Sequence, residues 1–348
     1  MKIINTSLCS FGMSGSVFHA PFIKANPGFS LYGVYERSER KVRHVYPNCI
    51  SFNTLDEMLA DANIDLVVVN TPNCTHFDFA RKSLLAGKHV LVEKAFTVTA
   101  GEARELIKIA GEVNKIICVY QNRRYDSDFK TVKKILDSQK LGDIVEAEIH
   151  FDRYKLEPNA KKHKETSLPG SGLLHDLGPH IIDPAILLFG MPQTISASVR
   201  IIRPGSQVND YFDVLLMYPK LNVRLKASLI VKEVSPAYVL HGTNGSFLKM
   251  RADLQEDKLK AGELPGGEGW GREDPVNSGL LNWYDGTQWR RDSICAEPGN
   301  YMELYQGLYD AIVHAAKVPV PGTDGLKVME IIDAIVQSDM KKEMVRLI

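Results

Sequence analysis

The stretch Ile3–Gly15, IINTSLCSFGMSG, decides the fold of this chain. It predicts a β-strand over Ile3–Cys9 that runs into a turn containing glycine and serine. Gly12 and Gly15 take the second and third glycine positions of the pattern G-x-G-x-x-G, and Ser10 takes the first. The second glycine of that pattern lets a pyrophosphate approach the backbone, and the third allows a helix to pack closely on the strand. The stretch therefore predicts a dinucleotide-binding strand–turn–helix unit, with a plain structural junction as the alternative.

The next hundred residues repeat this alternation of apolar strands and helical patterns. Continuous apolar strands separated by helices are typical of a parallel sheet that is covered on both faces. The predicted strands are Phe29–Tyr35, Leu66–Asn70, His89–Val92 and Ile116–Tyr120, and the predicted helices are Leu55–Ala62, Phe77–Ala86 and Ala100–Val113.

The pattern changes after residue 122. A helix over Phe129–Ser138 and a strand over Ile144–Tyr154 precede a polar loop, and the strands that follow have little helix between them. Consecutive strands with hairpin connections predict an antiparallel sheet. The fold class is therefore α/β, with an N-terminal Rossmann domain (a doubly wound parallel sheet) over 1–122 and a C-terminal α+β domain with a largely antiparallel sheet over 123–348.

Composition excludes several classes of function. The chain has 348 residues, with 42 Lys+Arg against 42 Asp+Glu, so it lacks the basic excess of a nucleic-acid-binding protein. No apolar run approaches the ~18 residues that a membrane span needs. The five cysteines are scattered without a CxxC pair. Reduced thiols are expected from this spacing, with a cytoplasmic location and no bound metal.

Charged residues after the second strand bear on the choice of cofactor. Glu36 is placed to accept hydrogen bonds from the adenosine ribose, and its charge repels a 2′-phosphate, so it favours NAD. Arg37 has the opposite effect because it could bind that phosphate. We expect NAD as the cofactor, with NADP as the alternative. If the two residues have no role in cofactor binding, they form an ordinary Glu–Arg pair on the surface.

Further candidate cofactor ligands lie at the ends of predicted strands, where open parallel sheets bind ligands. Lys94 directly follows a buried strand and is hard to explain as a solvated residue. The candidates in the first turn and at these strand ends are Phe11, Gly12, Met13, Ser14, Gly15, Thr71, Pro72, Asn73, His76, Glu93 and Lys94.

A second informative stretch is Gly172–Asp183, GLLHDLGPHIID. Asp176 and His180 are four residues apart at a predicted helix start, so both side chains lie on one helix face. Pro179 is expected near the first turn, where its missing N–H costs little. The pair predicts acid–base chemistry, with an ion pair on an ordinary amphipathic helix as the alternative.

Together these segments resemble the glucose-fructose oxidoreductase/inositol dehydrogenase/MocA (Gfo/Idh/MocA) family of NAD(P)-dependent oxidoreductases. The resemblance covers essentially the whole chain, and bacterial scyllo-inositol dehydrogenases are the most similar members. The segments that carry it are Gly12–Gly15, Ser14–His19, Val69–Asn73, Gly87–Lys94, Asn122–Asp126 and Gly172–Asp183.

The resemblance implies roles for three residues around the reacting carbon of a sugar or polyol. His180 would be the general base, since an imidazole titrates near neutral pH. Lys94 would stabilise the developing alkoxide, and Asp176 would orient the hydroxyl or the imidazole. The resemblance also places Asn122 beside the nicotinamide, and we expect substrate contacts from Arg123, Tyr154 and His163.

Two departures from the family pattern produce further expectations. Ser10 replaces the first glycine of the turn. Ala95 replaces the family's proline after Lys94; because a non-proline cis bond costs about 2.5–4 kcal/mol, we expect this peptide bond to be trans and Lys94 to be displaced.

The expected function is an NAD(P)-dependent dehydrogenase of a cyclitol or sugar, acting as a homodimer or homotetramer assembled through the C-terminal sheet. A redox-assisted glycosidase is one alternative. A non-catalytic NAD(P)-binding sensor or partner subunit is the other, and Ser10 and Ala95 are the features that favour it.

Overall fold

The computed structural model describes residues 2–158 and 165–347 and divides into two compact units. Unit 1 comprises Met1–Asn122, Gln255–Trp270 and Asn300–Leu326; unit 2 comprises Arg123–Leu254, Gly271–Gly299 and Lys327–Ile348. Two segments that the sequence-based division assigns to the second domain therefore pack in the first unit. For Asn300–Leu326 the physical reason is aromatic, because Tyr305 and Tyr309 pack against Phe29. Gln255 in turn accepts a hydrogen bond from the Tyr301 N–H, which joins Gln255–Trp270 to that segment.

Fifteen strands are described, and each is named here in chain order. They are β1 (Ile4–Leu8), β2 (Phe29–Tyr35), β3 (Ile50–Phe52), β4 (Leu66–Val69), β5 (His89–Val92), β6 (Ile117–Val119), β7 (Ile144–His150), β8 (Thr194–Arg200), β9 (Tyr211–Met217), β10 (Asn222–Ser228), β11 (Tyr238–Gly242), β12 (Gly245–Lys249), β13 (Gly279–Tyr284), β14 (Trp289–Ile294) and β15 (Val345–Arg346).

The α-helices are named in the same way. They are α1 (Ala20–Ala25), α2 (Lys41–Val45), α3 (Leu55–Ala60), α4 (His76–Leu85), α5 (Ala100–Glu112), α6 (Ser127–Asp137), α7 (Leu173–Phe189), α8 (Gln255–Lys260), α9 (Met302–His314) and α10 (Gly322–Lys341). A π-helical segment, Ser14–His19, joins the first turn to α1.

Unit 1 is built on a six-stranded sheet with the order β3-β2-β1-β4-β5-β6, in which all neighbouring strands are parallel. All four residues of Leu66–Val69 are completely buried, as expected for a strand with helices on both faces. The order reverses between β1 and β4, so the chain crosses from one half of the sheet to the other there. The predicted Rossmann domain is confirmed.

Unit 2 contains a nine-stranded sheet with the order β14-β13-β12-β11-β7-β10-β9-β8-β15. β7 and β10 are parallel, and the other neighbouring pairs are antiparallel. The burial of β9 alternates along the strand, with Phe212, Val214 and Leu216 completely buried, so one face of the sheet is core. The predicted α+β domain with a largely antiparallel sheet is confirmed.

Candidate active site

The first turn gives its two glycines different roles. A Cβ at Gly15 would lie 2.3 Å from the carbonyl oxygen of Ser10, so only glycine fits between the turn and the strand. A Cβ at Gly12 would meet no atom within 4 Å. Met13 beside it is 55 % exposed, whereas Phe11 is buried and its ring centroid lies 6.1 Å from that of Tyr46. The backbone at Gly12 is therefore accessible from outside.

Ser10 is held by Asn70, the residue after β4. The Ser10 N–H donates to Asn70 Oδ1 (3.0 Å), and its hydroxyl donates to the Asn70 carbonyl (3.0 Å). The Asn70 amide in turn donates to the Ser10 carbonyl (2.9 Å). These three bonds join the carboxyl ends of β1 and β4 and fix the turn without a glycine at its first position. Nothing in the local sequence around Ser10 predicts this partner.

The side chain of Glu36 turns inward at the end of β2. Its carboxylate accepts hydrogen bonds from the Ser51 hydroxyl (2.7 Å) and the Val42 N–H (3.2 Å), and the residue is 7 % exposed. Arg37 and Ser38, which follow it, are exposed. The carboxylate that the sequence assigns to the ribose is thus nearly buried and holds protein donors, whereas Arg37 beside it is exposed.

The ends of β4 and β5 are joined by His76. Its ring is completely buried, with Nδ1 2.7 Å from the Ala95 carbonyl oxygen and Nε2 2.8 Å from the Thr71 carbonyl oxygen. Pro72 is exposed, and Asn73 is partly exposed in the turn that follows. His76 thus lies between the two strand ends, while the residues after Thr71 face outward.

The Lys94–Ala95 peptide bond is cis, so the expectation of a trans bond is wrong. The surroundings of Ala95 account for the difference: its side chain is completely buried, and the imidazole of His76 contacts its carbonyl oxygen. Tertiary contacts around a residue can outweigh the intrinsic preference of a non-proline peptide bond for the trans form. The sequence alone indicates only that intrinsic preference. Lys94 itself is partly exposed.

Glu93, the residue before Lys94, contacts the first turn. Its Oε1 accepts a hydrogen bond from the Ser14 hydroxyl (2.6 Å), and its Oε2 accepts one from the Lys94 N–H (3.2 Å). Asn122, at the carboxyl end of β6, is 5 % exposed. The structure therefore places the predicted cofactor residues at one end of the parallel sheet, the carboxyl ends of its strands.

The residues of this sheet end fit a dinucleotide. An open backbone at Gly12 leads into a helical segment that begins at Ser14, which is the arrangement that accepts a pyrophosphate. The crossover between β1 and β4 lies beside it, where open α/β sheets bind their ligands.

In unit 2, the start of α7 is capped by a distant residue. The Leu174 N–H donates to Asn209 Oδ1 (2.8 Å), and the Leu173 N–H donates to the Asn209 carbonyl (2.8 Å). Gly172 has φ +89°, and a Cβ there would lie 2.5 Å from the Asn209 amide. Asn209 therefore fixes where α7 begins, a role that sequence reasoning missed because the two residues are far apart in the chain.

The structure extends α7 beyond the expected start. The helix begins at Leu173, so Asp176 lies in its first turn and Pro179 lies inside the helix rather than near its beginning. A proline there removes one backbone hydrogen bond. The oxygens of Asn209 supply acceptors for the N–H groups of the first turn, which is why the helix starts earlier than the proline suggests.

Asp176 and His180 lie on α7 as predicted. Asp176 is partly exposed, whereas His180 is 6 % exposed and its ring centroid lies 5.9 Å from that of Phe151. One turn further on, Asp183 accepts two hydrogen bonds from Arg124, at 2.8 Å and 2.6 Å. Because both side chains of that pair are almost fully buried, it holds the segment after β6 on the helix that carries His180.

The three expected substrate residues are placed differently. Arg123 is buried, donates to Asp126 (3.2 Å) and lies 5.6 Å from the Phe151 ring centroid. Tyr154 is 52 % exposed, with Lys232 over its ring. His163 lies outside the described residues. Arg123 is thus part of the surroundings of Phe151 in unit 2.

Among the described residues, no group of three or more His, Cys, Asp or Glu side chains could hold a metal ion. Within 2–158 and 165–347, no helix is long and apolar enough to cross a membrane.

Comparisons with known proteins define the class of protein. Residues 4–121 match the description "Oxidoreductase family, NAD-binding Rossmann fold", and residues 133–347 match "Oxidoreductase family, C-terminal alpha/beta domain". The chain is therefore an oxidoreductase with an NAD-binding Rossmann domain. It belongs to the Gfo/Idh/MocA oxidoreductase family.

Several relatives match over nearly their whole length. The oxidoreductase YdgJ of Escherichia coli is 38 % identical over 96 % of both chains. The scyllo-inositol 2-dehydrogenase (NADP(+)) IolW of Bacillus subtilis is 34 % identical over 99 % of this chain and 96 % of its own. The solved structure of the oxidoreductase yvaA from Bacillus subtilis is 34 % identical, with a TM-score of 0.96 over 100 % of this chain and 99 % of that chain.

Proposed function

We propose that the chain transfers a hydride between NAD(P) and the secondary alcohol or ketone carbon of a cyclitol or sugar. The observation that carries the proposal is the pair on α7, where a nearly buried imidazole, His180, follows a carboxylate, Asp176, by one helical turn. An alcohol dehydrogenation needs a base for the hydroxyl proton, and this pair supplies one. A cyclitol substrate is supported by the similarity to the scyllo-inositol 2-dehydrogenase of Bacillus subtilis.

Each residue of the set has a distinct proposed role. His180 takes the hydroxyl proton at a ring nitrogen during oxidation and returns it during reduction. Lys94 stabilises the negative charge that develops on the substrate oxygen. Asp176 orients the substrate hydroxyl or the imidazole. The cofactor, when bound, accepts or donates the hydride.

The cofactor is proposed to bind along the strand ends of unit 1. Gly12 and Met13 receive the pyrophosphate, Ser14 and Gly15 begin the helical segment behind it, and Thr71–Asn73 line the next strand end. His76 and Glu93 act from behind this surface, because their side chains contact protein groups. Asn122 remains a proposed neighbour of the nicotinamide.

For the adenosine end we propose NADP rather than NAD. The expectation of NAD depends on a carboxylate that is available to the ribose, yet both Glu36 oxygens accept protein hydrogen bonds. Arg37 is exposed next to it and can pair with a 2′-phosphate. The NADP(+) in the name of the Bacillus relative agrees with this preference.

We also propose a homodimer or homotetramer assembled through the nine-stranded sheet. Val239, Leu248 and Leu280 are neighbours across β11, β12 and β13 and stay partly exposed on the face opposite the core. Covering them with a second copy would remove apolar surface from water. Light scattering coupled to size exclusion should give a multimer for the natural chain and a smaller species for Leu248→Glu.

The five cysteines are free, in keeping with a cytoplasmic location.

The test of the function is a substrate screen. The purified protein is mixed with NADP or NAD and a panel of cyclitols and sugars, and the absorbance of reduced nicotinamide is followed; His180→Ala is the matched control. Turnover on a cyclitol or sugar that is lost in His180→Ala supports the proposal. Tight cofactor binding without turnover on any member of the panel would contradict it and favour the sensor interpretation.

A further inference from the structure

A chain of hydrogen bonds extends from the cofactor turn, at Ser14, into the buried core of unit 1, at Tyr305. His19, the last residue of the π-helical segment, lies 3.0 Å through Nε2 from Glu93 Oε1 and 2.7 Å through Nδ1 from the Tyr305 hydroxyl. His19 and Tyr305 are completely buried. Glu93 also accepts hydrogen bonds from the Ser14 hydroxyl and the Lys94 N–H. Its carboxylate therefore links the cofactor turn to Lys94 and, through His19, to Tyr305 of α9.

The proton positions in this chain follow from its chemistry. Burial raises the pKa of Glu93, but the hydrogen bonds from His19 and Ser14 and the charge of Lys94 outweigh it and lower the pKa to about 2. An ionised carboxylate can only accept, so His19 carries a proton on Nε2. The other ring nitrogen, Nδ1, makes the contact with the Tyr305 hydroxyl.

The carboxylate is therefore a negative charge that three donors hold. Oε1 receives the Ser14 hydroxyl and the His19 N–H, and Oε2 receives the Lys94 N–H. A buried carboxylate is costly unless donors hold it. If His19 served only to fill the core, an apolar ring would pack there at lower cost, as Phe22 does in its stack on Tyr305.

We propose that His19 and Tyr305 are positioning residues that fix Glu93, and through it both the cofactor turn at Ser14 and the backbone of Lys94. The proposal rests on the proposed dehydrogenase function. Neither residue is expected to touch substrate or cofactor. Their effect is to make cofactor affinity and Lys94-dependent turnover depend on one hydrogen bond, that from His19 Nε2 to Glu93.

Two substitutions at His19 separate this role from simple packing. A glutamine amide reaches the position of Nε2, so His19→Gln keeps the donor to Glu93 and loses the contact with Tyr305. An asparagine amide reaches the position of Nδ1, so His19→Asn keeps Tyr305 and leaves Glu93 without that donor. Each variant loses one buried hydrogen bond, so their thermal midpoints serve as matched measures of stability.

The measurements are the dissociation constant of NADP, by fluorescence titration, and kcat at saturating cofactor. His19→Asn should weaken binding and lower kcat by about 10-fold each, the effect of a charged acceptor left without its donor. His19→Gln should stay within ~3-fold of the natural chain in both, since the charged bond is kept. Equal values in the two variants would overturn the proposal and leave a structural role.

A further variant keeps the proposal testable if His19→Asn does not fold. Ser14→Ala removes the other donor to Glu93 Oε1 from a partly exposed position. Its kcat at saturating cofactor should fall, and an unchanged kcat would contradict the link to Lys94. If the natural chain binds no NAD or NADP, the proposed function fails instead. If the natural chain binds cofactor without turnover, the NADP dissociation constants of His19→Asn and His19→Gln still test the positioning role.

Discussion

The cofactor turn of unit 1 and helix α7 of unit 2 are built in different ways. The sequence signature of the turn lies in its own backbone, because Gly15 must avoid the nearby Ser10 carbonyl and Gly12 leaves the backbone open, although hydrogen bonds with the distant Asn70 also hold the turn. Helix α7 depends on side chains from elsewhere, since Asn209 caps its start and Arg124 pairs with Asp183. The proposed cofactor turn can therefore be recognised from adjacent residues, whereas the position of the proposed catalytic helix depends on partners that are distant in sequence.

The largest effect should come from the helix. His180→Ala should lower kcat by about 10²–10⁴-fold, the usual contribution of a positioned general base, while cofactor affinity stays nearly unchanged. Steady-state kinetics on the substrate found in the screen measures this. His44→Ala, which removes an exposed histidine on α2, is the control. If His180→Ala kept more than half of the natural kcat, α7 would lose its catalytic role.

The open position in the turn, Gly12, should respond to added volume. Gly12→Val should weaken cofactor binding by about 100-fold, because its branched side chain occupies the approach of the pyrophosphate. Since the position is open, the fold should be kept, and an unchanged thermal midpoint checks this. Calorimetric titration gives the affinity, with Gly12→Ala as an intermediate case. A folded Gly12→Val that binds cofactor normally would move the pyrophosphate elsewhere.

The same contrast between the turn and α7 separates the features that sequence predicts from those that it does not. The strand pattern and the spacing Gly12–Gly15 predict the Rossmann unit, and the interval from Asp176 to His180 predicts one helix face; the structure agrees with both. The Ser10–Asn70 bonds and the Asn209 cap are set by tertiary packing. No local pattern encodes them, so the early start of α7 could not be predicted.

Two other differences have the same origin. The cis bond before Ala95 lies in a completely buried place beside His76. These surroundings come from tertiary packing and cannot be predicted from the local sequence. The orientation of Glu36 depends on Ser51, which lies on the neighbouring strand. The sequence correctly indicates a carboxylate directly after β2. It does not determine whether the Glu36 side chain points inward or outward.

Cofactor preference tests Arg37, the exposed side chain that follows β2. Arg37→Ala should weaken NADP binding by about 10-fold, through loss of a charge-assisted contact with the 2′-phosphate. NAD binding should change by less than ~3-fold, because NAD lacks that phosphate. Titration of both cofactors into both proteins measures this. If the natural chain bound NAD at least as tightly as NADP, Arg37 would not determine the preference.

The smallest expected effect concerns the cap of α7. Asn209→Ala should destabilise the protein by about 1 kcal/mol, the usual cost of losing a helix cap. Denaturant unfolding measures it, and Asn209→Asp, which keeps an acceptor for the Leu174 N–H, should recover most of the loss. A stability equal to that of the natural chain in Asn209→Ala would mean that α7 begins without this residue's help.

In the proposed site, one set of residues binds the cofactor and another performs the chemistry. The most direct measurement compares kcat and the NADP dissociation constant for the natural chain and Lys94→Ala on a substrate from the screen. We predict a loss of about 10²-fold in kcat, from the missing stabilisation of the alkoxide, with NADP binding within ~3-fold of the natural value. Equal losses in affinity and turnover, or no loss in turnover, would contradict this division of roles.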